Sequence, residues 1–257
     1  MSAAVLHLSP HPDDELIGAP ATLMALRDAG WRVVNLACRL GQLGRRERRE
    51  AELREACRRA GFELWLGDPR ALDRSIDAAI AELDPRLIVS PCPHDRHPAH
   101  VRVAAAAVRA LEKAERPPRW WVWAVWGALP RPTLATAFDQ ARLNEILVAL
   151  GAHAGELSRN DYRRLVRGRA EAAACLAPEL LFGFGAAGAG RGEYAELLTE
   201  LALVKGGWRL GEPRWLDLSA PLAAPGPLNA TALAHPAVAD DGGAEALPGE
   251  VEVGPGE

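Results

Sequence analysis

The stretch AAVLHLSPHPDDEL, residues 3–16, joins an apolar run to a histidine and two adjacent aspartates. Its first half, AAVLHLS, is typical of a buried β-strand, and Pro10 marks where that strand ends. Three similar runs follow along the chain, WRVVNLAC at 31–38, FELWL at 62–66 and PRLIVSP at 85–91. The sequence therefore predicts four strands in its first part, separated by segments with helical spacing.

The segments between these strands carry recognisable helix signals. Pro20 suits the beginning of a helix and Gly30 its end. A later stripe at helical spacing is followed by Gly61 as a stop signal, and it consists of Leu53, Ala56, Cys57 and Ala60. Near-continuous apolar strands that alternate with helices predict a mostly parallel sheet covered on both faces, an α/β fold of the Rossmann-like class. Ligands of such folds bind at the carboxyl ends of the strands.

Composition favours a globular protein with one large core. The chain has 257 residues, of which 49% are hydrophobic, and a formal net charge of -4. Its longest basic run, GRRERRE, is interrupted by glutamates, so nucleic-acid binding is not expected. No apolar stretch is long enough to predict a membrane span, and the first residues lack a signal-peptide pattern. Four scattered cysteines indicate reduced thiols, and we expect a cytoplasmic location.

The composition changes near residue 219. Residues 219–257 contain six acidic residues, six prolines, six glycines and no Lys or Arg. Such a segment cannot bury enough apolar surface to offset the entropy of ordering. We therefore expect a domain at residues 1–218 and a disordered acidic tail at 219–257.

A second group of polar residues follows the strand at 85–91. The segment SPCPHDRHPAH, residues 90–100, holds His94, His97 and His100 within seven positions. Pro98 suits the first turn of a helix, and the apolar spacing of AHVRVAAAAVRAL continues that helix. Residues three apart on a helix share a face, so His97 and His100 are expected to point together toward the sheet edge.

The two loops together predict a metal site. His11, Asp14 and His100 would supply two imidazoles and one carboxylate, a set that suits Zn²⁺ with one position open for water. The same set could hold Fe²⁺. Asp13 would then remain free, and a carboxylate beside an activated water is suited to act as a general base.

The motif PHPDDE, followed at residues 97–100 by HPAH, resembles the PIG-L or LmbE-like family of zinc-dependent deacetylases, and the resemblance covers most of residues 4–218. It implies removal of an acetyl group from an N-acetylglucosamine-type substrate. It also implies that His11, Asp14 and His100 bind the metal, that Asp13 is the base, and that His97 stabilises the oxyanion electrostatically or acts as an acid. The expected partner is thus a small amino-sugar or glycoconjugate substrate.

Further site residues follow from the same resemblance. RREAEL looks like the family's arginine-bearing helix, which makes Arg49 a candidate substrate contact. The family's second motif commonly has an aspartate where Ala99 stands. The role of that aspartate, beside the histidines or toward the substrate, is either missing in this chain or supplied by Asp95. His94 is a candidate substrate contact in the same loop.

Other interpretations of these residues compete with the catalytic one. The adjacent aspartates could simply cap a helix. The zinc could be structural if His94 or Asp13 closed a four-ligand site. A different amidase on the same scaffold could act on a thiol-sugar conjugate or a lipid-linked substrate. We expect structural roles for His7 and His153, and core packing for the tryptophan cluster Trp120, Trp121, Trp123 and Trp126, with sugar stacking as its alternative.

Overall fold

All four predicted strands are present in the computed structural model, which describes residues 2–186, 191–205, 207–217 and 228–232. The strands within these ranges are β1 (Ala4–Ser9), β2 (Arg32–Ala37), β3 (Glu63–Leu66), β4 (Leu87–Pro91), β5 (Arg119–Trp123), β6 (Leu134–Phe138), β7 (Tyr194–Val204), β8 (Gly207–Gly211), β9 (Arg214–Trp215) and β10 (Leu228–Ala232). The α-helices there are α1 (Asp14–Ile17), α2 (Pro20–Asp28), α3 (Arg46–Ala60), α4 (Leu72–Leu83), α5 (Pro98–Lys113), α6 (Gln140–Leu150), α7 (Ala154–Leu157) and α8 (Tyr162–Phe182).

The centre of the sheet is parallel, as predicted. Strands β3, β2, β1, β4 and β5 lie side by side in that order, and every neighbouring pair is parallel. The register places Ser9 opposite Ala37 on β2, while His7 faces both Asn35 on β2 and Val89 on β4. The fold is therefore an α/β fold with a mostly parallel, Rossmann-like sheet.

The later part of the chain extends the sheet with antiparallel strands. β7 pairs with β5, β8 pairs with β7, and β10 pairs with β8, all antiparallel. β7 also pairs with β6, which in turn pairs with the short β9. The individual pairing of these strands was not part of the sequence prediction, because it depends on contacts between distant segments.

Helices cover both faces of the sheet. Residues of α2, α3, α6 and α8 form one apolar core with Val5 and Val33, while residues of α4 and α5 form another with Leu6 and Leu8. Successive residues of β1 thus point into different cores, as expected for a parallel strand buried on both sides. The predicted stripe of α3 is buried, and Gly61 ends that helix with φ 70°.

The order of the parallel strands predicts a binding crevice between β1 and β4. Chain direction across the sheet reverses between β1 and β4, since the chain runs from β1 outward to β3 and then returns to β4. The carboxyl ends of the two strands on either side of such a switch point form the usual ligand crevice. The loop after β1 contains PHPDDE, and the loop after β4 contains the clustered histidines.

The tail prediction needs one correction. Residues 228–232 form β10, which pairs with β8, whereas the sequence prediction placed them in a disordered tail. The prediction missed it because strand pairing gives backbone hydrogen bonds to a sequence with little apolar surface. The remainder of the predicted tail, 219–227 and 233–257, lies outside the described residues.

The tryptophan cluster splits into two parts. Trp120, Trp121 and Trp123 lie on β5 and are buried, which confirms core packing for these three. Trp126 lies beyond the strand, is 37% exposed and makes an edge contact with the ring of Tyr162. Among the described residues, no helix is long and apolar enough to cross a membrane.

Candidate active site

The first loop holds His11 and Asp14 together. Oδ2 of Asp14 accepts a hydrogen bond from the backbone N–H of His11 at 2.7 Å, and it lies 3.2 Å from His11 Nδ1. Asp14 begins α1 and is 1% exposed, whereas His11 is partly exposed. The short turn between β1 and α1 therefore presents an imidazole and a carboxylate as neighbours.

Asp13 has an unusual backbone. Its φ is 121° and its ψ is -25°, a conformation that residues with a Cβ seldom adopt. Its side chain makes no capping hydrogen bond to α1, so the interpretation of this aspartate as a helix cap is wrong. Strain of this kind persists only where surrounding contacts impose it, and it concentrates at functional sites.

The second loop delivers its histidines through a helix start. His97 is the N-cap of α5, and its Nδ1 accepts a hydrogen bond from the N–H of Ala99 at 3.2 Å. Pro98 occupies the first turn as predicted, and His100 follows within the helix, fully buried. The ring centroids of the two histidines are 4.9 Å apart. The sequence prediction that both point to one place agrees with this geometry.

Histidines from the two loops meet at the switch point. The ring of His11 lies 4.6 Å from that of His97 and 5.5 Å from that of His100, measured between centroids. One nitrogen from each of these three residues lies within 4.8 Å of the others. Oδ1 of Asp14 lies 3.4 Å from Nε2 of His100. The crevice thus gathers three imidazoles and a carboxylate from two loops.

The donor set suits a divalent metal. His100 is buried, and neither of its ring nitrogens makes a hydrogen bond within the described structure. Nε2 of this ring faces Asp14, as a metal ligand beside another ligand would. Two imidazoles and one carboxylate are the donors found in catalytic sites of Zn²⁺ and Fe²⁺. His11, Asp14 and His100 therefore fit the ion that the sequence predicts.

Asp95 lies behind His100 instead of facing the crevice. Its Oδ2 is 3.4 Å from His100 Nδ1 and also accepts the N–H groups of Val125 and Trp126, while Oδ1 accepts the N–H of His97. It is 5% exposed. The expectation of a substrate contact is therefore wrong for Asp95, because these hydrogen bonds already occupy its carboxylate. Its contacts with His97 and His100 agree with the alternative expectation, that Asp95 supports the histidines.

The pKa values of the adjacent aspartates Asp13 and Asp14 shift in opposite directions. Burial raises the pKa of Asp13 well above its ordinary value, and the charges of Asp14 and Glu15 raise it further. Burial alone would also raise the pKa of Asp14, but the nearby charge of His100, together with the charge and hydrogen bond of His11, holds it far below the usual range. Asp14 is therefore a permanent anion beside the imidazoles, whereas Asp13 accepts a proton readily.

The two histidines at the start of α5, His97 and His100, also differ in pKa. Burial lowers the pKa of His97 to about 4, and the neighbouring charges of His11 and His100 contribute to this decrease. Burial would lower the pKa of His100 as well, but Asp14 and Asp95 outweigh it and raise the value to about 9. His97 is thus neutral, and His100 has the surroundings that stabilise a positive charge.

Arg49 lies at the edge of the same crevice. Its Nε is 3.1 Å from Oε1 of Glu156 on α7, and its charge lowers the pKa of Asp13. A Cβ on Gly41 would lie 2.0 Å from the guanidinium, so the absence of a side chain there makes room for Arg49. Arg159 pairs with the other oxygen of Glu156 at 3.0 Å. The sequence prediction did not include Glu156 or Arg159.

His94 is not brought into the histidine group. Its side chain is exposed, and its backbone N–H donates to Sγ of Cys92 at 3.4 Å. His7 is buried in the core, where Nδ1 bonds Asn35 and Nε2 accepts the indole N–H of Trp123. The expected structural role of His7 agrees with these contacts.

Sequence reasoning also missed Glu15 and its contact with His153. Oε2 of Glu15 accepts the N–H of Asp13 at 3.0 Å, and Oε1 lies 2.5 Å from Nε2 of His153. Both side chains are fully buried. A signal was available in the sequence for Glu15, since it is the last residue of PHPDDE and a charged residue beside two others. His153 was expected to be structural, with a functional role as the alternative, and it lies 138 positions away from its partner.

Known proteins resemble this chain in sequence and in fold. The family model PIG-L, described as GlcNAc-PI de-N-acetylase, matches residues 6–111. A probable N-acetyl-alpha-D-glucosaminyl L-malate deacetylase 2 of Bacillus cereus is 31% identical over 185 aligned residues, and the match covers 60% of this chain and 83% of that protein.

Two solved structures share the fold at lower identity. The A40926 pseudoaglycone deacetylase Dbv21 is 20% identical with a TM-score of 0.57, covering 76% of this chain and 95% of its own. The 4-carboxy-2-hydroxymuconate hydratase GalB of Pseudomonas putida KT2440 is 16% identical with a TM-score of 0.61, covering 77% and 95%. Since a hydratase shares the fold, the fold alone does not decide the reaction. The B. cereus relative does decide the family, because it is similar over most of its length, and the chain therefore belongs to the PIG-L family of deacetylases.

Proposed function

We propose that this protein is a metal-dependent hydrolase that removes an N-acetyl or other N-acyl group from an amino sugar or a sugar conjugate. The observation that carries the proposal is the meeting of Asp13 with His11, Asp14 and His100 at the switch point of the sheet. Amide hydrolysis needs an activated water, a base and an oxyanion donor, and this crevice contains a candidate for each.

His11, Asp14 and His100 are the proposed metal ligands. A bound Zn²⁺ or Fe²⁺ would supply a Lewis acid that lowers the pKa of a coordinated water and polarises the acyl carbonyl. Asp95 contacts the rear nitrogen of His100 and so holds that ring for coordination through its other nitrogen. We favour zinc, because the motifs PHPDDE and HPAH resemble those of zinc-dependent deacetylases. Fe²⁺ is the alternative.

Asp13 is the proposed general base. Its carboxylate accepts no hydrogen bond from the described residues, and burial raises its pKa well above the ordinary value, which favours taking up a proton. The same carboxylic acid, once protonated, can return that proton to the nitrogen of the leaving amine. One side chain would then serve both halves of the reaction.

His97 is the proposed oxyanion donor. Since its Nδ1 accepts from the N–H of Ala99 and the ring is neutral, the hydrogen of the imidazole is on Nε2. This tautomer can donate from Nε2 to a negatively charged oxygen. It has no free lone pair for a metal, which is why we assign coordination to the other two histidines although His97 lies within the same group.

The rim of the crevice suits a polar and negatively charged conjugate. Arg49 and Arg159 flank Glu156 there, and both interact electrostatically with Asp13. The B. cereus relative is named for a glucosaminyl malate substrate, a sugar joined to a dicarboxylic acid. We propose a substrate of that class for this chain. Arg49 would contact its anionic group, and His94 would contact it from the exposed loop. Trp126 offers a partly exposed ring for stacking on a sugar.

The main alternatives act through the same residues. An amidase for a thiol-sugar or lipid-linked substrate would use the same metal and base with a different rim. A structural zinc would need a closed set of four ligands. Such a set has less support, because His94 is exposed and the described cluster consists of His11, His97 and His100.

Three of the four cysteines are buried and none forms a disulfide, as in proteins of a reducing compartment. We therefore propose a cytoplasmic location. We also propose that nucleic acid is not among its partners, because glutamates interrupt its longest basic run.

Acetate release tests the proposed function. The purified protein is assayed on N-acetylglucosaminyl malate, on simple N-acetyl glycosides and on N-acetylated thiol-sugar conjugates, with metal content measured by elemental analysis. We expect about one metal ion per chain, loss of turnover on chelation and recovery when Zn²⁺ or Fe²⁺ is added. His100→Ala should lose the metal, and His94→Ala should keep it. An active protein without bound metal would refute the proposal.

A further inference from the structure

We propose that Glu15 and His153 form a positioning pair that imposes the strained backbone of Asp13 and thereby sets the direction of its carboxylate. This inference rests on the proposed function, since it explains how the proposed base is held. Both side chains are fully buried, and their described hydrogen bonds join them to each other and to the backbone of Asp13.

The contact between Glu15 and Asp13 is the first step of the argument. The N–H of Asp13 donates to Oε2 of Glu15 at 3.0 Å, across only two residues. A φ of 121° is strained for a residue with a Cβ, so some contact must favour it over the ordinary extended or helical conformation. Any alternative in which the N–H turned away from this carboxylate would leave a buried donor without a partner, which is unfavourable.

The contact between Glu15 and His153 is the second step. An isolated buried carboxylate is unfavourable unless it is paired and hydrogen-bonded. Nε2 of His153 lies 2.5 Å from Oε1 of Glu15, so the histidine satisfies the oxygen that Asp13 does not use. His153 thus fixes the rotamer of Glu15, and Glu15 fixes the backbone of Asp13.

His153 also links this pair to the rim of the crevice. Its carbonyl accepts the N–H groups of Glu156 and Leu157, the last two residues of α7. Glu156 in turn pairs with Arg49 of α3 at 3.1 Å. The hydrogen bond between Glu15 and His153 therefore connects the turn that holds the proposed base to α7, the helix that pairs with the candidate substrate arginine.

The pair is tested by kinetics on the metal-loaded protein. Glu15→Gln keeps the size of the side chain but replaces one accepting oxygen by a donor, so it cannot serve both partners as the carboxylate does. We expect kcat to fall by about 10²-fold, as for a small misplacement of a reacting group, with KM and metal content little changed. His153→Leu should have the same effect, and His153→Gln, which retains a donor, should recover most of the rate.

Glu196→Gln is the matched control. Glu196 also accepts backbone N–H groups, those of Ala21 and Thr22 at 2.7 and 2.8 Å, but it does so at the start of α2. We expect this control to lower Tm as much as Glu15→Gln does, while its kcat remains close to that of the unmodified protein. An equal loss of kcat in both variants would reduce Glu15 to a general structural residue and overturn the inference.

A double-mutant cycle separates positioning from an independent contribution. If Glu15 acts through Asp13, then Asp13→Asn combined with Glu15→Gln should be no slower than Asp13→Asn alone. A further loss as large as the one in the unmodified background would overturn the inference. A crystal structure of Glu15→Gln supplies a measurement without turnover, since retention of φ near 121° at Asp13 would also overturn it. A protein that releases no acetate from any substrate refutes the proposed function instead, while that structural measurement still tests the pair.

Discussion

Nδ1 of His100 lies 3.4 Å from Oδ2 of Asp95, and neither side chain is exposed. Asp95 also accepts three backbone N–H groups, from His97, Val125 and Trp126, so its position is determined by both neighbouring loops. A carboxylate behind a ligand histidine fixes the ring and strengthens its donor nitrogen. Asp95 is therefore expected to support the proposed metal site through His100, although it does not face the crevice.

Asp95→Asn should weaken metal binding by about 10- to 100-fold, because an amide stabilises the imidazole less than a carboxylate does. Competition with a chelator of known affinity measures the change. Asp139→Asn is the control, since Asp139 also accepts a backbone N–H, that of Arg142 at the start of α6. Unchanged metal affinity in Asp95→Asn would show that the contact with His100 does not matter for coordination.

The adjacent aspartates should respond differently to the same substitution. Asp13→Asn is expected to keep its metal but to lose about 10²- to 10⁴-fold in kcat, because an amide cannot accept the proton. Asp14→Asn should lose metal first, since a neutral amide is a poorer ligand than a carboxylate, and excess Zn²⁺ should restore part of its activity. Metal content and kcat are measured together. The reverse pattern would exchange the two assignments.

Asp13 should also limit the stability of the protein. Asp13→Gly removes a buried carboxylate whose pKa burial raises, and glycine adopts positive φ without strain. We expect Tm of the metal-free protein to rise, by about 2–4 °C for each kcal/mol gained. Calorimetry measures this, with Asp139→Gly as a control that should lower Tm because its φ is -107° and its side chain caps α6. A lower Tm in Asp13→Gly would mean that the carboxylate stabilises the fold.

Arg169 connects two parts of the site from α8. It donates to the carbonyl of Ile17 at the end of α1 and to that of Ala124 after β5. Arg169→Met should leave both carbonyls without this donor, which costs about 1–3 kcal/mol for a buried group, and should weaken metal binding because α1 carries Asp14. Thermal unfolding and chelator competition measure the two effects. Arg164→Met, on an exposed part of the same helix, should change neither.

Two truncations test the role of the C-terminal segment. Ending the chain after Ala232 removes all six acidic residues of the predicted tail and should leave Tm and turnover nearly unchanged. Ending it after Asp217 also removes β10 and leaves an edge of β8 without its partner. We expect a lower Tm and self-association at high concentration for the shorter protein, measured by light scattering. Equal behaviour of the two proteins would show that β10 contributes nothing.

Local patterns allowed much of this protein to be predicted from sequence. The strands β1 to β4, the stripe of α3 and the proline at the start of α5 all follow from spacing and backbone preferences within a short window. The two motifs were also sufficient to nominate His11, Asp13, Asp14 and His100, because residues after parallel strands meet at one edge of the sheet.

The sequence by itself therefore determined the fold class and the inner group of candidate residues. Only the tertiary structure decided that Asp95 lies behind His100, that Glu15 contacts His153, and that residues 228–232 add a strand to the sheet. The physical reason is that the contact of Glu15 spans 138 positions and the pairing of β10 joins separate segments. Asp95 lies close to His100 in sequence, but its orientation depends on N–H groups some 30 residues further along the chain. Such contacts arise from packing of the whole chain, whereas periodicity and motifs report only on the local chain.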